Sequence, residues 1–516
     1  MSLKPFKNEP ATDFTKTHNF QAQKDAIAAV RKKFGKTYDL VIGGKKVQTG
    51  NLLTSYNPSD KDEVIGHFHK GTKELVQQAV EGAHQTFQKW SKTTPEERAA
   101  IVFKAADIAR RRKLEINAWM ILEAGKNFAE ADLDTAEAID FMDFYAREML
   151  RYGGKQPITP IKGEKNELNY IPLGVGAIIP PWNFPFAILV GMSTAAIVTG
   201  NTVVLKPSSE TPMMGQIFNE IMQEAGLPKG VLNFLPGSGG EVGDTLVAHP
   251  LTRFVSFTGS VGVGCHINEL AAKVQPGQIW LKRVVAEMGG KDSIIVDKDT
   301  DLDAAAYGTV ISAFGFQGQK CSACSRVIVD KAVYKEFVAK VKNLVDNLKQ
   351  GKAEDNFYQG PVISESARQS IMKYIEIGKK EGKLLCGGEV GEGNGFYIKP
   401  TVFYDIDPMA VISQEEIFGP VLAIIKSKGF DDSLKIANNT IYGLTGAVYT
   451  NDREKLDRAK KEFHVGNLYL NRKCTGAMVG VHPFGGFNMS GTDSKAGGRD
   501  YLLLFLQAKT VSEKIL

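Results

Sequence analysis

The chain of 516 residues is poor in cysteine: it has five, an odd number. A disulfide framework needs paired cysteines, so this usage fits a reducing compartment. No second Cys-x-x-Cys and no His-x-x-x-His accompanies Cys321 and Cys324. A structural zinc site would lack its four ligands, and no metal is expected. Charge of one sign is also scarce in excess, with 63 Lys and Arg against 58 Asp and Glu, a net +5. Nucleic-acid binders usually concentrate a larger basic surplus on one face. The densest basic stretch, Arg110-Arg111-Arg112-Lys113, has Asp107 and Glu115 close by and reads as a solvated helix face. Nor is there an unbroken apolar run of membrane length. Ile171 to Leu205 carries no charge, but Pro172, Pro180, Pro181 and Pro185 interrupt it. Met1 to Lys16 is polar and lacks the apolar core of a secretory signal. The expectation is a cytoplasmic protein without nucleic-acid or membrane partners.

What is present suggests an α/β chain of two or more domains, since the chain is too long for one core. Residues 70–150 are helical in pattern. Thr94-Pro95-Glu96-Glu97 supplies an N-cap, a proline at the first helical position and a capping-box glutamate. From residue 171 apolar strands alternate with helices near 187–199, 213–225 and 240–248. That rhythm implies an open parallel sheet covered on both faces. The loops "IPPWNFP", "KPSSETP", "PGSGG" and "TGSVG" all follow strand ends, where such sheets bind ligands. A second alternating run begins at "WLKRVVAEMGGKDSIIV" and continues to about residue 488. Two segments stand apart: residues 153–171 read as a protruding hairpin, and "YLLLFLQAKTVSEKIL" as an apolar terminal strand. Together they suggest pairing between subunits.

The chemistry turns on "FGFQGQKCSACSR", residues 314–326. With zinc set aside, Cys321 and Cys324 could be a redox pair or one nucleophile with a bystander. A thioredoxin-like pair opens a helix after a strand, whereas here a glycine-broken helical approach precedes it. A thiol at a glycine-rich bend suits a nucleophile, because a backbone amide there can meet a developing oxyanion. Asn183 in "PPWNFPF" offers an amide donor or is a turn asparagine. Glu287 in "AEMGGKD" is a general base or a turn cap. The acids of "QEEIFGPV" bind sugar hydroxyls or are solvated.

In this order and spacing, "PPWNFPF", "LKPSSETP", "FTGSVGVG", "EMGGKD", "GQKCSACSR", "EEIFGPV", "GNLYLNR" and "PFGGFNMSG" resemble the NAD(P)-dependent aldehyde dehydrogenase superfamily over roughly residues 40–510. "GSVGVG" alone does not match the Gly-x-Gly-x-x-Gly fingerprint. The resemblance implies that fold: a Rossmann-like NAD-binding domain (1–152 and 172–286), an α/β catalytic domain (287–488) and a small β oligomerisation flap (153–171 and 489–516). A homodimer or higher homo-oligomer follows from it.

By the same resemblance Cys321 attacks an aldehyde, Asn183 and the Cys321 N–H hold the oxyanion, and Glu287 activates water against the thioester. Cys324 is then the bystander. Lys206 and Ser209 would meet the adenosine ribose of NAD, Trp182 and Ser260 its pyrophosphate, and Glu416 the nicotinamide ribose beside Phe418. Ile179 and Gly259 belong to the same cofactor set. Many strictly NAD-using members carry glutamate where Ser209 stands, so NADP tolerance is expected here. Within the superfamily, Ser322, "CTGAMVG" and "HPFGGFNMSGTDSKAGG" are similar to the branch that oxidises L-glutamate γ-semialdehyde, the open form of 1-pyrroline-5-carboxylate, in proline or arginine breakdown. Ser322 with the amides of Gly476 and Ala477 would anchor the α-carboxylate, and Phe184 and Phe484 would flank the aliphatic chain. The rivals are another small semialdehyde such as succinate semialdehyde, a catalytically silent NAD-binding scaffold, and a thiol hydrolase.

Overall fold

The two alternating runs form two seven-stranded sheets. In the computed structural model, which describes residues 4–515, the first sheet holds β1 (Leu40–Ile42), β2 (Lys45–Val47), β3 (Val175–Ile179), β4 (Thr202–Leu205), β5 (Leu232–Phe234), β6 (Thr252–Thr258) and β7 (Arg283–Glu287). Their order is β7-β6-β3-β4-β5-β1-β2. The strands from β7 to β5 are parallel, and the β1–β2 hairpin joins antiparallel at the edge. β3, β4 and β5 are buried along their whole length, so their sequences show no alternation. The charge-free stretch from 171 to 205 is therefore core: β3, the buried helix Ala187–Val198 and β4. Among the described residues no helix is long and apolar enough to cross a membrane.

From β3 the chain steps outward to β4 and β5, then returns past β3 to β6 and β7. The strand order reverses between β3 and β6, which opens a crevice at their carboxyl ends. The second sheet holds β8 (Asp292–Val296), β9 (Cys324–Asp330), β10 (Lys383–Cys386), β11 (Thr401–Tyr404), β12 (Val421–Ser427), β13 (Thr445–Tyr449) and β14 (Asn467–Leu470). It runs β10-β11-β12-β9-β8-β13-β14, parallel except for the edge strand β10. Only Met288, Gly289, Gly290 and Lys291 separate the end of β7 from the start of β8. The carboxyl edge of the first sheet thus opens onto the amino edge of the second.

The helical region resolves into Lys73–Trp90, Pro95–Arg111, Lys113–Ala124 and Phe128–Gly153. Thr94 and Glu97 form the expected capping box, with N–H to Oε2 at 2.7 Å and N–H to Oγ1 at 3.2 Å. The basic run is not a free solvated face. Arg110 pairs with Glu9, Arg111 with Glu224, Arg112 with Glu220 and Lys113 with Asp132, so the four cations bind other elements of the fold.

The arm also differs from expectation. Residues 153–171 do not fold back on themselves; the strand Glu164–Pro172 pairs antiparallel with the distant strand Leu506–Lys514. Nor is "YLLLF" a strand. Tyr501–Phe505 forms a short 3-10 turn whose Tyr501, Leu502 and Phe505 are buried in the core. Within residues 489–500, assigned above to the flap, residues 490–492 instead run beside β7: the Met288 N–H donates to the Ser490 carbonyl at 2.8 Å, and Thr492 N–H to Ala286 at 2.9 Å. Apolarity marked Tyr501–Phe505 for burial, and burial in a core does not need a strand.

Candidate active site

The helix Leu302–Phe314 ends in an unusual bend. Phe316, Gln317 and Gly318 follow with φ of 50°, 55° and 67°. Left-handed conformation costs a non-glycine residue energy, and it persists only where surroundings hold it. Here the fully buried Gln319 does so: its Oε1 accepts the Ile363 N–H at 2.9 Å, and its N–H donates to the Phe316 carbonyl at 3.0 Å. The bend delivers Cys321 and Ser322 to the amino edge of β9. Asn183, buried just beyond β3, donates its Nδ2 to the Gln319 carbonyl at 3.1 Å. A side-chain amide from the first sheet is thereby fixed two residues before the thiol of the second.

The glycine pair of "AEMGGKD" explains how the sheets meet. A Cβ on Gly289 would lie 2.1 Å from Glu416 Oε2, and one on Gly290 would lie 2.7 Å from the Cys321 carbonyl oxygen. No side chain fits either position. The Gly290 N–H donates to Glu416 Oε1 at 3.1 Å. The crossing therefore draws Glu287, Glu416 and Cys321 into one site.

That site gathers carboxyl groups around the thiol. Burial first, then the charges of Asp292, Glu416 and Glu287, push the Cys321 thiol well above the usual thiol range, while the Ser322 N–H pulls the other way. A sulfur so placed is held toward its thiol form, from which any attack by it would need a proton acceptor. Burial pushes Glu287 up to about 8 and Glu416 up to about 7. Glu287 Oε2 is buried without a partner among the described residues, so the carboxyl has a free oxygen with which to take a proton.

Cys324 is not paired with Cys321. It is 1% exposed, and its thiol donates to the Arg326 carbonyl at 3.2 Å. Its sulfur neighbour is Cys474, and burial is the main cause raising its pKa.

The cofactor candidates sit at carboxyl ends of the first sheet. Ile179 closes β3, Lys206 and Ser209 follow β4, and Gly259 and Ser260 follow β6. Ser260 caps the helix Val261–Ala272, its Oγ accepting the Val263 N–H at 3.4 Å. The remaining first-turn amides suit a phosphate. Burial pulls the Lys206 amine down to about 8, and its hydrogen-bond partner is the Pro207 carbonyl at 3.2 Å. A buried amine met, among the described residues, only by a carbonyl suits a ribose hydroxyl. Trp182 stacks edge-on against Phe418 with centroids 5.4 Å apart. These residues fit a dinucleotide.

Among the candidate substrate residues, the Ser322 carbonyl accepts from Cys474 Sγ and from Thr445 Oγ1, both at 3.5 Å. Cys474 thus ties the loop carrying Gly476 and Ala477 to the turn that carries Cys321. Among the described residues neither the Gly476 nor the Ala477 amide donates within the chain. Phe184 has the Lys126 ammonium 4.0 Å from its ring centroid. Phe484 is held by two backbone bonds to Ala496 at 2.8 Å.

Several contributors escape sequence reading. Lys126 is fully buried and pairs with Asp134 at 2.8 Å, whose other oxygen accepts the Ala187 N–H at 2.6 Å. Lys320 pairs with Glu130 at 2.7 Å, and nearby Glu137 is pushed up to about 8, mainly by burial. Ser494 donates its hydroxyl to Glu287 Oε1. Ser494 lies in the quoted "HPFGGFNMSGTDSKAGG", but nothing in that string links it to Glu287 two hundred residues away.

The model of the aldehyde dehydrogenase family matches residues 45–511. The chain belongs to that family. It is an oxidoreductase, and the Rossmann-like and catalytic α/β sheets are those of the aldehyde dehydrogenase fold. The 1-pyrroline-5-carboxylate dehydrogenase of Geobacillus sp. (strain WCH70) is 59% identical over 512 residues, covering 99% of each chain. Its namesake in Bacillus subtilis (strain 168) is 56% identical over 509 residues, 98% of this chain and 99% of that one. A crystal structure of 1-pyrroline-5-carboxylate dehydrogenase from Thermus with bound NAD is 49% identical, covers 100% of both chains and superposes with a TM-score of 0.98.

Proposed function

We propose that this aldehyde dehydrogenase oxidises L-glutamate γ-semialdehyde, in equilibrium with 1-pyrroline-5-carboxylate, to L-glutamate with NAD, in proline or arginine breakdown. The observation that carries the substrate is the Cys474 bond to the Ser322 carbonyl at 3.5 Å. It holds the loop with the unpaired Gly476 and Ala477 amides against the nucleophile turn, where two N–H groups and the Ser322 hydroxyl can receive an α-carboxylate without a formal cation. Phe184 and Phe484 would flank the chain between carboxylate and aldehyde.

Cys321 Sγ bonds to the aldehyde carbon as its proton passes to Glu287. The new oxyanion lies between the Asn183 Nδ2–H and the Cys321 N–H, donors fixed before the reaction and worth several kcal/mol there. The C–O bond re-forms as a carbonyl and the carbon expels hydride, which NAD accepts when bound, leaving a thioester. Lys206, Ser209, Trp182, Ser260, Glu416 and Phe418 would hold that cofactor, with Ile179 and Gly259 shaping its bed. Glu287 gives that proton up to solvent, then takes one from the water that attacks the thioester and passes it to the departing sulfur, which releases glutamate and the Cys321 thiol. Serine at Ser209 offers no charge against a 2′-phosphate, so NADP is tolerated.

A homodimer or higher homo-oligomer completes the reading. The arm is only two strands wide, and Leu506–Lys514 is exposed beyond its first residue. An open edge of this kind is a template for pairing with another chain.

The test is NADH formation from glutamate semialdehyde beside succinate semialdehyde and acetaldehyde, with Cys321→Ser as control. Strong preference for the first, lost in the variant, supports the reading. Equal or reversed preference discards the substrate while keeping the chemistry.

A further inference from the structure

We infer that Ser494 is a positioning residue for Glu287, holding one carboxyl oxygen so that the other stays available to the thiol and to water. The inference rests on the reading of Glu287 as the general base. Backbone bonds along residues 490–492 register this segment against the end of β7. The Met288 N–H reaches Ser490 at 2.8 Å, Thr492 N–H reaches Ala286 at 2.9 Å, and Ala286 N–H reaches Thr492 Oγ1 at 3.0 Å. Glu287 itself bridges Gly491, and its carbonyl accepts the Gly259 N–H at 3.1 Å. With the backbone of Glu287 fixed from both sides, only its side chain can move. Two residues on, Ser494 is 3% exposed and spends its hydroxyl proton on Glu287 Oε1. Oε2 has no partner among the described residues. One oxygen is tethered and the other bare, the division of labour a base needs when it must hold still and still accept a proton.

The surroundings favour this division. Lys495 follows directly, and its ammonium bonds carbonyls rather than an acid: Gly466 at 2.7 Å, and Gly485. Its charge thus remains free to act on Glu287, against the opposing charge of Asp493. Cys321, Tyr145 and Tyr501 are the other ionisable groups that feel the Glu287 charge. Burial raises Glu287, while the Ser494 hydroxyl first, then the Lys495 charge and the nearby Gly486 N–H, lower it again. Removing the hydroxyl should therefore leave a base that is both less well aimed and harder to ionise. Acylation also passes a proton to Glu287, but thioester hydrolysis must activate a weakly acidic water, so the second step should suffer more.

The experiment compares wild type, Ser494→Ala, Ser494→Thr and Glu287→Gln by rapid-mixing NADH formation across pH. Thermal midpoints and iodoacetamide titration of Cys321 establish that each variant is folded with an accessible thiol. For Ser494→Ala we expect an NADH burst approaching one per site. Steady-state kcat should fall on the order of tenfold, part of the about 10²–10⁴-fold that a general base supplies. The acid limb should move up by about one pH unit, the size of one lost bond to a charged group. KM should hold, and Ser494→Thr, which keeps the hydroxyl, should restore burst, rate and limb together. A wild-type profile in Ser494→Ala, with Glu287→Gln blocked after the burst, overturns the role of Ser494 alone. Loss in Ser494→Ala that Ser494→Thr does not restore, with no shift of the limb, also overturns it, since packing would then be at fault. Wild-type turnover in Glu287→Gln removes the base reading beneath it.

Discussion

Gly290 and Cys321 meet backbone to backbone: a Cβ on the glycine would stand 2.7 Å from the Cys321 carbonyl oxygen. The strand that ends in Glu287 and the bend that carries the thiol are packed to that tolerance. Gly290→Ala must push the bend away or twist the crossing. A displacement of about 1 Å at a reacting group costs on the order of 10²-fold in rate. The expected result is a fall of that size in kcat with NAD binding retained, read by steady-state kinetics beside cofactor titration. Unchanged kcat would mean that the bend relaxes freely.

Asn183 is the only one of the proposed catalytic groups that the first sheet supplies from the end of β3. Its bond to the Gln319 carbonyl at 3.1 Å fixes the amide before substrate arrives. Asn183→Ala removes an oxyanion donor, a loss of about 10²–10³-fold in kcat. KM for the aldehyde should change little, because the donor acts on charge that appears only during reaction. Equal loss in KM and kcat would reassign Asn183 to substrate binding.

The raised Glu287 gives the pH dependence its sign. Its carboxyl is pushed up to about 8 by burial, and only the ionised form can act as a base. Thioester hydrolysis should therefore be fast above about pH 8 and fall by tenfold per unit below it, with Glu287→Gln flat and slow throughout. Single-turnover release of glutamate measured from pH 6 to 10 checks this. An acid limb near the ordinary carboxylate range would place Glu287 in a wetter setting during turnover.

Much of this arrangement is legible in the sequence, for identifiable reasons. Strands such as Val175–Ile179 are apolar on both faces, so a parallel sheet under helices follows directly. Thr94 and Glu97 declare a helix start because a capping box is a local device. Contacts that join distant segments are not local. Ser494 reaches Glu287, Gln319 receives Asn183, and Lys126 sits under Phe184, yet no periodicity marks any of the three. The glycine pair at 289–290 was visible as a turn, whereas its purpose is room for Glu416 and Cys321. The arm misled for the converse reason. Tyr501–Phe505 is apolar because it fills the core, and the strand that follows it is exposed.

Lys291 offers the last prediction, on stability. It is 3% exposed, and its Nζ has no partner among the described residues. Burial, then the Arg326 charge, pull its amine from the ordinary 10.5 down to about 7, against the opposing pull of Glu416, Asp292 and Cys324. The folded value lies below the unfolded one, so the unfolded chain binds this proton first as pH falls. The group therefore destabilises the fold increasingly from about pH 10.5 down to about pH 7, and by a constant amount below that. Lys291→Met keeps the volume and removes the penalty, as replacing buried charge by apolar groups often does, for a gain of about 1–3 kcal/mol. Urea denaturation at pH 7 and pH 10 should show the variant ahead at the lower pH and closer to wild type at the higher. A variant that is less stable at pH 7 would mean that Glu416 and Asp292 hold Lys291 as a cation, and that the negative charge around Cys321 is partly neutralised from beneath.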